Sequence, residues 1–321
     1  MTTTNLTSGL ARVARGVGVG SGKAQQRTPR PRRRLSNTAL TLALLVAPSV
    51  LLLLIIHGYP LVYAAVQATH NGNLIQLGDF VGFDNFVRDL QNPVLWHAAL
   101  FTLIFTIVGV FGSWILGLAL ALMLRQRVHL PGLFKTLLFI PWIVPIVVSS
   151  TAWNWLVATP DSPVPLLFKF FGMNNVLFLA DPTLAQLTVC LFKVWISFPF
   201  MMLMASSALT SVDNNVYEAA RVDGATNRQI FFQITLPLIA RSTYISWILM
   251  TIFCINDFTS VYLLTGGGPV NATNTLVVLA YQTVFANFQT GPGVAIAFMM
   301  TIISVIISVV LYRQIRKVDI A

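Results

Sequence analysis

The sequence predicts an all-α membrane protein with six transmembrane helices, cytoplasmic N- and C-termini, and a two-helix loop on the cytoplasmic side. Three observations predict it. Of 321 residues, 56% are hydrophobic and only 9% charged, where a soluble domain carries about a quarter charged residues. The apolar residues are clustered in long runs, which suits lipid as the solvent. The basic residues are spread very unevenly over the segments between those runs.

A spanning helix needs about 20 mainly apolar residues. Six stretches qualify, at about 37–57, 96–124, 133–157, 183–210, 242–264 and 291–312. The first is too long and too distant from the N-terminus for a simple signal peptide, and His57-Gly58-Tyr59-Pro60 is expected to end it. Residues 1–35 are rich in Thr, Ser, Gly, Pro and Arg and hold no acidic residue. They read as a disordered basic cytoplasmic tail, with 36–321 as the membrane domain. An Arg-rich, acid-poor start also suits an organelle transit peptide, but a positive-inside tail accounts for the same residues.

Six spans put both termini on one side, and charge selects the side. The tail, the 125–135 loop, the 211–241 loop and the C-terminus carry 8, 3, 3 and 3 Lys/Arg, while the opposite loops carry only Arg88 and Lys169. Both termini are therefore expected in the cytoplasm. The same distribution explains the net charge of +10 as a topology signal rather than a nucleic-acid-binding face. Cys190 and Cys254 fall inside apolar runs, which predicts small buried hydrophobes with no disulfide framework and no metal site. Within 71–95, Phe83, Phe86, Val87 and Leu90 recur at helical spacing. They predict a short helix lying on the outer membrane surface or packed on the bundle.

The most informative segment is cytoplasmic. Glu218-Ala219-Ala220-Arg221-Val222-Asp223-Gly224-Ala225 runs on to Ile234-Thr235-Leu236-Pro237. Small residues at 219 and 220 permit close approach of another surface, and Gly224 can end a helix with positive φ. A second short helix is expected from about Asn227, with Ile230, Phe231 and Ile234 on one face and Pro237 marking the turn into the next span. A compact two-helix projection suits docking in a groove of a soluble partner.

This pattern resembles the signature loop of binding-protein-dependent ABC import permeases: EAA, three residues, Gly, nine residues, Ile-x-Leu-Pro. Glu218, Ala219, Ala220, Gly224, Ile234, Leu236 and Pro237 occupy all its fixed positions. Tyr59-Pro60-Leu61, Val81-Gly82-Phe83-Asp84-Asn85-Phe86, Leu133-Phe134-Lys135 and Ile140-Pro141-Trp142 resemble the sugar-importer branch. Leu263-Leu264-Thr265-Gly266-Gly267-Gly268-Pro269 is similar to the first of its two permease subunits, the maltose-type and glycerol-phosphate-type members. The large inserted external domain of some maltose-type subunits is lacking. The resemblance implies that the loop, with Asp223 among its residues, is a coupling helix inserting into an ATPase subunit. It further implies a second permease subunit, two ATPase subunits, an extracytoplasmic substrate-binding protein and a bacterial inner membrane. The chain has no P-loop, so ATP and Mg are expected only in the partner and the chain is not an enzyme.

Intramembrane polar groups mark a solute path because they are costly in lipid. Lys193 in the fourth span and Asp257 in the fifth lie at depths of about 13 Å and about 11 Å, at 1.5 Å per residue. They are expected to pair, either merely fixing helix register or bordering a polar sugar path together with Trp195 and Asn256. Trp153 and Trp155 fit an interfacial belt, and Pro141, Pro145 and Pro199 are expected to bend the third and fourth helices. An ion-coupled secondary transporter, with Lys193 and Asp257 as its relay, is the alternative reading.

Overall fold

The computed structural model describes residues 37–125, 130–173 and 176–318. The basic tail expected over 1–35 lies outside them, as does the middle of the 125–135 loop. Internal contacts divide the chain into two units, residues 1–56 and 57–321. The described part of the first is the leading portion of helix α1 (Asn37–Ala68).

The second unit holds the rest of α1 and then a two-stranded antiparallel hairpin, β1 (His70–Gly72) and β2 (Leu77–Phe80). The helices that follow are α2 (Asp84–Gln91), α3 (Pro93–Arg125), α4 (Pro131–Ile143), α5 (Ile146–Val157), α6 (Pro163–Phe170) and α7 (Pro182–Thr210). Then come α8 (Asn214–Val222), α9 (Asn227–Gln229), α10 (Leu236–Ile255), α11 (Thr259–Thr265), α12 (Leu276–Tyr281) and α13 (Thr290–Val318). Five helical stretches among the described residues are long and apolar enough to cross a membrane, and the bent α4–α5 pair makes a sixth if it counts as one span.

The core lies where α3 packs along α7 and α10. Phe101, Phe105, Phe192, Met201 and Met250 are almost fully buried there. Gly117 permits the contact, because a Cβ at this position would stand 2.6 Å from the Met202 amide nitrogen. Small residues at helix interfaces let backbones approach in this way, which matters in lipid, where helices gain little by hiding apolar surface.

The helices depart from the expected boundaries at four places. The α1 helix does not end at 57 but continues through Gly58-Tyr59-Pro60 to Ala68. The apolar sequence resumes at Leu61, and one missing proline donor is tolerated in such helices. The stretch 133–157 is two helices bent by 90°. Val144 is extended (φ −65°, ψ 131°) ahead of Pro145, the conformation that a following proline imposes. The stretch 242–264 breaks between Ile255 and Thr259. The segment from Asn227 is no separate short helix, since α9 continues through a π-helical turn (Ile230–Thr235) into α10. Pro237 therefore sits in the first turn of α10 rather than at a corner.

The short helix expected within 71–95 is α2, and its polar face is the buried one. Asn85 is fully buried and donates from Nδ2 to the carbonyls of Ala68 (2.8 Å) and His70 (3.0 Å). Phe83, Val87 and Leu90 are exposed. Asp89, also buried, has no hydrogen-bond partner for Oδ2 among the described residues. Burial pushes its carboxyl up from 3.8 to about 6, against the lowering pull of Arg88. A raised carboxylate favours the folded state when protonated. Its contribution is full below about 3.8 and is lost as pH rises through about 6. Thermal unfolding of the purified chain should therefore show stability falling across that window, and Asp89→Asn should flatten the profile. An identical slope in the variant would assign it to other groups.

Candidate functional site

A cavity of about 560 Å³ opens where the two helix breaks face each other. Its walls are the α4–α5 bend, the middle of α7, and the end of α10 with the start of α11. Trp142, Phe253 and Phe258 supply aromatic surface, while Lys193, Ser197, Asn256, Asp257 and Thr259 supply polar groups. A mostly apolar hollow with a few convergent polar side chains is the usual form of a small-molecule site.

Lys193 and Asp257 meet directly, with Nζ 2.6 Å from Oδ2 and both side chains 7% exposed. Asp257 also accepts from the Ser260 hydroxyl at Oδ2 (2.7 Å) and from the Ser260 amide at Oδ1 (3.0 Å). One carboxylate thus neutralises a buried ammonium and accepts the Ser260 amide in the first turn of α11, which the break would otherwise leave bare. The Lys193 ammonium also lies 5.8 Å from the centre of the Phe105 ring. Asn256 is exposed at the cavity edge and donates from Nδ2 to the Ile252 carbonyl (2.9 Å).

Of the residues expected along a path, Lys193, Asn256 and Asp257 line this cavity and Trp195 does not. The Trp195 ring packs 5.6 Å from Trp153 and 6.0 Å from Phe192, at the edge of the core. Trp153 is accordingly a packing residue rather than part of an interfacial belt, whereas Trp155 is 68% exposed. Trp142, Phe253, Phe258 and Thr259 were not anticipated. Trp142 could have been found from the prolines at 141 and 145 that bracket the bend, and Phe258 from its place beside the Asn256-Asp257 pair.

The second candidate surface is formed by the segment 213–237. Asp213 caps α8 by accepting from the Asn215 amide (2.9 Å), and α8 ends at Gly224 with φ +80°. Thr226 and Gln229 form a reciprocal capping box at α9. Tyr217, Ala220 and Ile230 pack together, with Ile234 against them. That fixes α8 onto the start of the long helix, and Arg125 at the end of α3 ties it down. Its guanidinium lies 4.5 Å from the Tyr217 ring centre and donates to Asn214 Oδ1 (2.8 Å). Glu218, Ala219, Asp223, Gly224 and Pro237 remain exposed, with Val222 87% and Phe232 56% exposed, while Ile234 and Leu236 are half-buried. Exposed apolar tips on a rigidly packed two-helix corner are chemistry for docking into a protein groove.

A family model described as the binding-protein-dependent transport system inner membrane component matches residues 115–320. The sulfoquinovosyl glycerol transport system permease protein SmoG of Agrobacterium fabrum is 30% identical over 87% of this chain and 92% of its own length. The trehalose/maltose transport system permease protein MalF of Thermococcus litoralis is 31% identical over 70% of this chain and 77% of its own. Among solved structures, a chain of a bacterial alginate ABC transporter in complex with alginate pentasaccharide-bound periplasmic protein superposes with a TM-score of 0.76. It is 19% identical, over 89% of this chain and 98% of that chain.

Truncating one member of a buried ion pair typically costs about 3–5 kcal/mol, whereas replacing both can be neutral. Lys193→Met and Asp257→Leu should each lower the thermal midpoint of the purified chain more than the double variant does. Additive losses in the double variant would mean that the two groups are not energetically coupled.

Proposed function

The chain belongs to the binding-protein-dependent transport system inner membrane components, and on that premise we propose that it is the permease subunit of an ATP-driven importer that carries a sugar or sugar-like solute into the cytoplasm by alternating access. The observation that carries the reading is the match of the family model over residues 115–320, a range that takes in both the cavity and the segment 213–237. Its relatives are sugar permeases by name, which favours this reading over an ion-coupled relay through Lys193 and Asp257.

The chain is a multi-pass protein of a bacterial inner membrane, with the α4–α5 pair as the third of six spans, residues 1–35 as a basic cytoplasmic tail, and both termini in the cytoplasm. Glu218, Ala219, Asp223, Gly224 and Pro237 form the exposed coupling surface for an ATPase subunit, which binds the ATP and Mg, and Ala220, Ile234 and Leu236 pack beneath it to hold its shape. The exposure of Val222 and Phe232 supports such docking. The remaining partners are a second permease subunit, a second ATPase and an extracytoplasmic binding protein. Lys193, Asn256 and Asp257 border the solute path, joined by Trp142, Phe253 and Phe258 as apolar platforms for sugar faces. Trp195 packs away from that path, against Trp153 and Phe192. The charged groups lining the cavity among the described residues are Lys193 and Asp257, already paired, so the cavity favours an uncharged solute.

The test is Gly224→Asp. Gly224 has positive φ and open space around it, so the substitution burdens the exposed corner while sparing the membrane core. ATP-driven sugar uptake should fall to background with normal membrane abundance of the chain. Normal uptake at normal abundance would contradict the coupling role.

A further inference from the structure

Four aromatic rings form an unbroken file that starts at the cavity and leaves it. Phe258, which lines the cavity, stacks on Tyr262 with centroids 4.7 Å apart and planes at 20°. Tyr281 packs against both, at 4.7 Å from Phe258 and 5.1 Å from Tyr262. Phe285 follows at 4.9 Å from Tyr281. The file ends in the π-helical turn Gln282–Ala286, just ahead of the first turn of α13. On the topology proposed above, that is the extracytoplasmic end of the bundle.

The rings are held in place by the glycine-rich segment between α11 and α12. Gln282 donates from Nε2 to the Gly266 carbonyl (2.7 Å), and Asn274 donates from Nδ2 to Gln282 Oε1 (2.9 Å). The Thr273 hydroxyl donates to the Gly268 carbonyl (2.6 Å), and Thr273 and Asn274 are fully buried. These bonds clamp α12 onto α11 and bring Tyr281 against Phe258 and Tyr262. Yet the file is not sealed into the core: Phe285 is 51% and Tyr262 37% exposed. A run of aromatic rings, held by buried polar bonds and open along one side, costs little to order on binding. Aromatic faces offer flat apolar surface, which matches the C–H face of a pyranose ring.

We propose that Phe258, Tyr262, Tyr281 and Phe285 form an approach track on which sugar rings stack as they pass between the extracytoplasmic side and the cavity. This rests on the importer reading above and extends its site to residues on α11, α12 and the turn after it. Continuity selects the occupant. Phe258 belongs to both the track and the cavity wall, so whatever solute occupies the cavity meets the same file of rings.

The experiment is uptake of trehalose, maltotriose and diacetylchitobiose by cells whose only copy of this permease is the tested variant, at matched membrane abundance. Tyr281→Leu and Phe285→Leu keep apolar bulk but remove the ring, and each should raise KM about tenfold with little change in Vmax. Tyr281→Phe, which keeps the ring, should leave KM unchanged. Wild-type kinetics in both leucine variants would overturn the track and leave the importer reading standing. Failure of the leucine variants to co-purify with partner subunits would also overturn it, because the rings would then be an assembly interface. Wild-type uptake that persists without ATP but stops when ion gradients are collapsed would instead contradict the importer reading.

Discussion

The contact between Lys193 and Asp257 is the constraint on which the membrane core depends. A lone ammonium in the middle of α7, 5% exposed, would be prohibitively costly in lipid. Asp257 removes that cost, and it does so from the point where α10 has just ended. The same carboxylate holds the amide and hydroxyl of Ser260, so the interruption leaves these two donors of the first turn of α11 partnered. Irregular backbone at membrane depth is tolerated only where protein or a cavity satisfies it. The ion pair meets that condition, and the cavity is the consequence.

The second wall follows from a different cause. Val144 and Pro145 stop α4 sterically, and the 90° bend places Trp142 and Ile146 on the same cavity as Lys193 and Asp257. Two breaks of unrelated origin, one steric and one electrostatic, thus face each other. The helix that ends at Ile255, just before Asp257, is continuous with the segment that begins at Asn227, about 43 Å of helix at 1.5 Å per residue. On the proposed reading, the surface that meets the ATPase and the wall that meets the solute are opposite ends of one rod. Movement of the α8–α9 corner then reaches the cavity without an intervening joint other than the π-helical turn.

Much of this was legible in the sequence because run length is a strong signal in membrane proteins. The runs at 96–124, 183–210 and 291–312 correspond closely to α3, α7 and α13. The opposite charges and similar depths of Lys193 and Asp257 singled out the two residues that the structure brings together. The breaks were harder to see. Val144-Pro145 sits in an uninterrupted apolar run, so hydropathy is blind to it and only the proline rule points there. The α2 helix shows another limit. The spacing of Phe83, Val87 and Leu90 identifies an amphipathic helix, but periodicity does not say which face is buried, and here it is the face of Asn85 and Asp89. Trp195 was placed on the path by its mid-span position and its indole ring. Its direction depends on Trp153 and Phe192, a tertiary contact that no spacing encodes.

As one membrane subunit of an ATP-driven assembly, this chain should travel with its partners. The most direct measurement is purification of the tagged full-length chain in mild detergent, with mass spectrometry of the proteins that accompany it. A P-loop ATPase and a second permease of similar span number are the expected companions. A clean homo-oligomer, under conditions that preserve known importer complexes, would contradict the importer reading and return the Lys193–Asp257 pair to consideration as an ion relay.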